Sequence, residues 1–381
     1  MKIAYIFSTL SKTGGTERII IEKANYFAEQ FDYDVTIINL FQRVEDTNHY
    51  LLSKKVKQIN LGIPYFSQYK YKYPKRLWIK WRLNKQTKKS IAQYVQLIDP
   101  DILIGISFFN ADQISSVNCR AKKIIESHEV KLFTLSSYYS KRNLLSKLFL
   151  KVFRFFYFRT IERYTDVVVT LTEGDKKLWK RAKRIEVIPN FSTMPITTFS
   201  DCTSKRVIAA GRLEWEKGYE RLIEAWKIVF SRHADWHLDI YGKGSMKETL
   251  ESLANNWKVH NININNCTSN ISQEYANSSI CAVTSYFEGF SLVLLEAMKH
   301  GLPCVAFDCP FGPKSIIDDA YDGFLVKDGN IRLFAERLCH LIENEKLRKQ
   351  FSKAAIEKAN TFDVDIIMNK WQALFEQLNE V

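Results

Sequence analysis

Short apolar runs alternate with amphipathic helical stretches along most of the 381-residue chain, and this alternation limits the fold more than any other feature. Lys2–Thr9 reads as a strand, Thr16–Glu29 as an amphipathic helix and Asp34–Leu40 as a second strand. Asp101–Ser107, Lys122–Glu126 and Asp166–Thr172 are further apolar runs with turn or charged flanks, and Ile185–Ile188 leads into Pro189-Asn190-Phe191. After a polar stretch containing Pro195 the pattern restarts. Strands Arg206–Gly211, His237–Tyr241, Ile280–Ser285 and Pro303–Phe307 interleave with helices Tyr219–Phe230, Met246–Asn255, Ser291–His300 and Ile331–Asn344. A parallel strand pair needs a crossover, usually a helix, and the helices then cover both faces of the sheet. Two such runs predict an α/β protein with two doubly wound domains facing across a cleft, at residues 1–195 and 196–362. Asp363–Leu378 reads as a closing helix within a last segment, 363–381, that packs back on the first domain.

Four glycine loops sit where strands end. Gly14-Gly15 follows the first strand and opens the first helix, where bare backbone can approach a ligand. The second half begins with Gly211-Arg212-Leu213-Glu214-Trp215-Glu216-Lys217-Gly218, which puts two cations, Arg212 and Lys217, on one loop suited to a diphosphate leaving group. Gly242-Lys243-Gly244 follows the next strand. The fourth loop belongs to Glu288-Gly289-Phe290-Ser291-Leu292-Val293-Leu294-Leu295-Glu296, in which two carboxylates bracket a glycine turn and a helix start. A strand-turn-helix of this kind aims amides and a positive dipole end at one spot, which suits phosphate. Carboxylates on either side accept from hydroxyls, so the segment fits a phosphate held between two sugars. Each loop taken singly is also ordinary turn chemistry; their order is the signal.

Charge is uneven. Residues 1–195 hold 34 Lys and Arg against 17 Asp and Glu, a balance of +17, whereas 196–381 balance at −4. Only the first half is therefore expected to meet an anionic partner. Tyr65–Lys89 carries nine Lys/Arg and seven aromatics, Trp78 and Trp81 among them, and no acid. Lys141–Arg163 mixes Lys147, Lys151, Arg154 and Arg159 with Leu144, Leu148, Phe149, Phe153, Phe155 and Phe156. Such segments fit an in-plane helix on anionic lipid, a helix packed on its own domain with a solvated face, or a single-stranded nucleic acid. No nucleic-acid signature accompanies them, so no nucleic-acid partner is expected. The seven cysteines are odd in number, scattered and without a CxxC, which predicts buried, reduced thiols in a cytoplasmic protein. Met1–Leu10 reads as a first strand rather than a signal peptide, and no stretch approaches a membrane span.

Gly14-Gly15-Thr16-Glu17-Arg18, Gly211-Arg212-Leu213 with Lys217-Gly218, Gly242-x-Gly244 and the paired Glu288 and Glu296 together resemble glycosyltransferase family 4. Phe307-Asp308-Cys309-Pro310-Phe311-Gly312-Pro313, Ile316-Ile317 and Asp322-Gly323-Phe324-Leu325-Val326 are similar to its bacterial polysaccharide and lipid-linked oligosaccharide members. The resemblance spans nearly the whole chain and is strongest over Val207–Val326. It implies a GT-B enzyme of two Rossmann-like domains, the first binding acceptor and membrane, the second binding the nucleotide sugar. The implied reaction is a retaining transfer of a hexose or N-acetylhexosamine from a UDP-sugar to a polyprenyl-diphosphate-linked or other glycan acceptor. The setting is surface polysaccharide or glycoprotein glycan synthesis, on the cytoplasmic face of the cell membrane.

The same resemblance implies roles. Glu296 would accept both ribose hydroxyls and Glu288 would face the donor sugar. Arg212, Lys217 and the Ser291 and Leu292 amides would hold the diphosphate, with Phe290, Gly242 and Gly244 also lining the donor site. Gly14 and Gly15 would supply amides to the phosphate, and His128, in Glu126-Ser127-His128-Glu129, would meet the transferring sugar; a plain loop histidine is the other reading. The loop Asn266–Ile271 would lie near the base. The charge to be stabilised builds on the leaving phosphate, so no metal or other cofactor is expected. Asp32-Tyr33-Asp34, Asp99-Pro100-Asp101 and Asp363-Val364-Asp365 are read as structural. Three other functions compete. A nicotinamide-dependent dehydrogenase would need a GxGxxG that Gly14-Gly15-Thr16 does not match. A sugar-nucleotide epimerase of like architecture would act on donor alone, and a basic nucleic-acid-binding protein would tolerate loss of Glu288 and Glu296.

Overall fold

The structure, a computed structural model, describes residues 1–107, 111–131 and 144–380. Part of the basic segment Lys141–Arg163, residues 141–143, lies outside them, as do the side chains at 144–147 and 149. Contacts divide the chain into two compact units, Met1–Ile188 with Met368–Val381, and Pro189–Ile367.

In the first unit the strands are β1 (Lys2–Phe7), β2 (Asp34–Asn39), β3 (Lys57–Asn60), β4 (Ile102–Ile106), β5 (Lys122–Ser127), β6 (Val167–Thr170) and β7 (Ile185–Val187). They form a sheet in the order β3-β2-β1-β4-β5-β6-β7 with every pair parallel. Strands covered on both faces read as unbroken apolar runs, and β1, β2 and β4 are buried along nearly their whole length. The core on one side gathers Ile6, Ile38, Leu103, Ile125 and Trp179. Helix Val364–Asn379 returns to this unit, with Phe375 5.1 Å from the Phe27 ring.

The second unit has β8 (Arg206–Ala210), β9 (His237–Tyr241), β10 (Ile262–Asn265), β11 (Ile280–Val283), β12 (Cys304–Asp308) and β13 (Gly323–Lys327). Their order is β10-β9-β8-β11-β12-β13, again all parallel. Trp226, Ile240, Phe307 and Phe334 pack in its core. Both units are therefore Rossmann-like, and in each the strand order turns at one point: between β1 and β4, and between β8 and β11.

β3, β10 and β13 were not among the strands read from sequence. All three are edge strands, and β3 and β10 are covered too thinly to need a continuous apolar run: Lys57-Gln58-Ile59-Asn60 and Ile262-Asn263-Ile264-Asn265. Helix Glu345–Asn360 was missed because its buried face is mostly alanine (Ala354, Ala355, Ala359), which gives little periodic signal. The cysteine expectation needs correcting: all seven are free, but Cys267 is exposed and Cys119 only half-buried. Among the described residues no helix is long and apolar enough to cross a membrane.

Candidate functional site

In open parallel sheets, ligands bind beyond the carboxyl ends of the strands where the order reverses. In the second unit that point lies between the ends of β8 and β11, and a small cavity there is lined by Ala210, Lys217, Tyr219, Ser285, Glu288 and Val293. Lys217 ends a short 3-10 turn, Trp215–Lys217, that closes through Gly218 at φ 60°. A side chain at Gly218 would also overlap the Thr284 carbonyl, so both the turn and the close approach demand glycine. The Lys217 ammonium donates to Glu288 Oε1 at 2.7 Å, and Ser285 Oγ donates to the same oxygen at 2.7 Å. The Glu288 charge acts on its surroundings. Burial, and after it Glu288, pushes both the Tyr219 phenol and the Cys309 thiol well up from their ordinary values.

Glu288 is held by its backbone as well. Its N–H donates to the Pro310 carbonyl at 3.0 Å, and its own carbonyl accepts from Phe311 at 3.1 Å and Gly312 at 3.2 Å. The motif Asp308–Pro313 thus works as a brace for the carboxylate. Arg221 braces the loop from beneath. It is buried, donates to the Thr284 carbonyl and, at 2.8 Å, to that of Ser285, and pairs with Asp328 at 2.7 Å. Its guanidinium lies 4.0 Å from the Tyr286 ring centre and 4.4 Å from that of Phe307. The sequence offered one sign of this: an arginine on the apolar face of helix Tyr219–Phe230, beside Leu222.

Helix Leu292–Lys299 starts at the same place, with Ser291 as its N-cap. Ser291 is buried, makes no side-chain capping bond, and its Oγ has no hydrogen-bond partner among the described residues. A buried hydroxyl left unmatched at the amide end of a helix is a place where an acceptor from outside the chain would be favoured. Glu296 is one turn further along and largely buried.

The other expected donor-site residues lie nearby in different states. Arg212 is exposed and reaches Glu216 at 2.6 Å on its own loop. Gly242 and Gly244 follow β9 and press on the loop after β8: a side chain at Gly242 would overlap the Gly211 carbonyl, and one at Gly244 that of Leu213. Phe290 is buried with its ring 5.6 Å from Phe362. The three Asp-x-Asp strings have local partners, such as Lys57 on Asp34 at 2.8 Å, the Lys2 amide on Asp101 at 2.8 Å and the Asp365 amide on Asp363 at 3.1 Å. Among the described residues no group of three His, Cys, Asp or Glu is arranged to hold a metal ion.

In the first unit, helix Gly15–Glu29 follows β1 after the loop 8–14, with Gly14 as its cap. His128 follows the end of β5 and is buried, its Nε2 2.8 Å from Glu126 Oε2. Lys23 donates to that same oxygen. Burial alone would raise the Glu126 carboxyl, but Lys23 and then His128 hold it down at about 2. Neither Lys23 nor Glu126 was singled out from sequence, although a lysine amid Ile19, Ile20, Ala24 and Phe27 on a helix's apolar face is a legible anomaly.

Residues 197–358 match the family described as Glycosyl transferases group 1. The chain is similar to an uncharacterised glycosyltransferase of Haemophilus influenzae, 29% identical over 98% of this chain and 99% of that one. It is also 29% identical to the amylovoran biosynthesis glycosyltransferase AmsD of Erwinia amylovora, over 97% of this chain and 98% of AmsD. Among solved structures, a TarM variant of S. aureus in complex with fondaparinux, alpha-GlcNAc-glycerol and UDP has a TM-score of 0.76 at 16% identity, covering 98% of this chain and 99% of TarM. That likeness shows the fold. The match to a glycosyltransferase family thus lies in the second unit, and the two Rossmann-like units have the GT-B fold.

Proposed function

We propose that the chain is a retaining hexosyltransferase of family 4 that moves a hexose or N-acetylhexosamine from a UDP-sugar to a lipid-linked glycan in surface polysaccharide synthesis. The observation that carries this is the Lys217–Glu288 pair at the β8/β11 turning point, beside a helix start whose buried Ser291 hydroxyl has no partner among the described residues. A diphosphate arriving there meets the helix amides, the Ser291 hydroxyl and the Lys217 ammonium, and Lys217 exchanges one anionic partner for another. Glu288, released from Lys217 but still held by Ser285, turns to the hydroxyls of the sugar. Glu296 takes the ribose. Negative charge growing on the leaving phosphate is met by the ammonium and the amide dipoles, which needs no divalent metal. Attack comes from the face the phosphate leaves, with a phosphate oxygen taking the acceptor's proton. In the first unit, the Gly15 amide suits a phosphate and the His128 ring a sugar hydroxyl. Support for UDP is that the TarM structure contains it. The test is a panel of nucleotide sugars with nucleotide diphosphate release as readout. Glu296→Ala and Lys217→Ala are expected to lose most transfer while keeping a cooperative melt; full activity in either variant defeats the assignment.

The anionic membrane surface is favoured by one specific observation. Trp78 and Trp81, 56% and 59% exposed, stand on the first turns of helix Lys75–Ile98, and Phe155 and Phe156, 53% and 63% exposed, on helix Leu144–Tyr164. Arg82 lies 5.8 Å from the Trp78 ring and Lys85 5.3 Å from the Trp81 ring. Large aromatic rings offered to solvent beside cations suit the headgroup layer of an anionic bilayer. The enzyme would then work as a peripheral protein on the inner face of the membrane.

A further inference from the structure

Glu126 is the penultimate residue of β5 and His128 follows it by two, so the period of the strand puts both side chains on one side. Lys23 comes to the same point from the middle of helix Gly15–Glu29, and the two charged groups are sealed. Trp371, from the returning helix, lays its ring 4.4 Å from the Lys23 ammonium, and the Tyr5 ring is 5.8 Å away. A buried ion pair is a poor way to stabilise a core, since apolar side chains of the same volume do as well or better. Among the described residues the pair also meets the Tyr5 phenol, which burial and then Glu126 push up, and the His128 ring. Glu126 Oε2 takes both the Lys23 ammonium and His128 Nε2. An ionised carboxylate only accepts, so the nitrogen facing it must be the donor.

We infer that Lys23 and Glu126 are positioning residues that fix His128 as its Nε2–H tautomer and leave Nδ1 as the nitrogen that meets a ligand. Lys23 keeps the carboxylate ionised, the carboxylate holds the Nε2 proton, and Trp371 keeps water from competing for either. With Nε2 donating to the carboxylate, the Nδ1 lone pair is the one that can accept from a hydroxyl, the group a sugar supplies. What the ring then does rests on the glycosyltransferase reading; the tautomer belongs to the first unit alone.

The experiment uses the full chain labelled with 15N-histidine, with long-range 1H–15N correlation spectra near neutral pH and His128→Ala to assign the ring. The expected result is the Nε2–H pattern for His128; an Nδ1–H pattern overturns the inference. Lys23→Met alone strands a buried charge and can fail to fold, so the second variant is Lys23→Met with Glu126→Gln, which removes both charges. That double variant should melt cooperatively, lose the single-tautomer signature, hold the donor KM within about twofold and lower kcat roughly 10- to 100-fold, the usual reach of a group acting through another. Unchanged kcat with the signature lost overturns the positioning role. A wild-type Nε2–H signature in a chain that releases no nucleotide diphosphate from any sugar nucleotide upholds the tautomer and overturns the glycosyltransferase reading.

Discussion

Each unit places a lysine against a glutamate near the carboxyl end of its sheet, and the two pairs differ in one respect that decides their use. Lys23 and Glu126 have side chains 2% and 1% exposed; Lys217 and Glu288 have 19% and 12%. In the sealed pair no water or ion can take over either partner, so the geometry is permanent and passes to the third member, His128. In the open pair the ammonium borders a cavity, and its carboxylate has Ser285 to fall back on. Burial thus separates a fixture from an exchangeable latch built of the same two residue types.

The sharpest way to break this comparison is to remove one lysine at a time. Lys23→Ala leaves a buried carboxylate alone and should destabilise the chain by about 3–5 kcal/mol. Lys217→Ala should cost under about 1 kcal/mol of stability, as for a pair that water reaches, while lowering transfer about 100- to 1,000-fold. Equal denaturation midpoints for the two variants would show that burial does not govern the difference. Acid sharpens it further. The folded Glu126 carboxyl sits at about 2, below the usual glutamate value of 4.5, so its stabilisation is fully present above 4.5 and is lost as pH falls from there toward 2. A melt series from pH 7 to pH 2.5 should show this loss in wild type, and a smaller one in the Lys23→Met, Glu126→Gln double variant.

Smaller effects probe what surrounds the open pair. Gly242→Ala forces a side chain against the Gly211 carbonyl and should lower stability by about 1–3 kcal/mol by overpacking. Chemical denaturation checks it, and an unchanged midpoint would mean that the two loops are not packed as described. The smallest expected change is at the exposed rings. Trp78→Ala with Trp81→Ala should reduce co-sedimentation with anionic vesicles several-fold and leave the melt untouched, whereas equal sedimentation would remove this helix from the membrane reading.

How much could be read beforehand followed from how local each signal is. The central strands announced themselves because burial on both faces writes an apolar run, and Gly211 to Gly218 or Glu288 to Glu296 are contiguous words. The edge strands β3 and β10 carry half that burden and half that signal. Glu288's brace was visible only as a motif, since pairing residue 288 with 310–312 is a fact of the folded chain. Lys23 and Glu126 lie 103 residues apart, and nothing in either neighbourhood names the other. Arg212 and Lys217 look equivalent in sequence. The fold separates them, one on the surface with Glu216 and the other in the cavity wall.

The return of residues 368–380 to the first unit has a bearing on the order in which the molecule is made. The second unit is continuous from Pro189 to Ile367, so it can bury its core as soon as that stretch leaves the ribosome. The first unit, although synthesised earlier, waits for Trp371 and Phe375 to cover Lys23 and Phe27. The unit made first is thus completed after the second, and the setting of His128 matures only once Trp371 and Phe375 have been made.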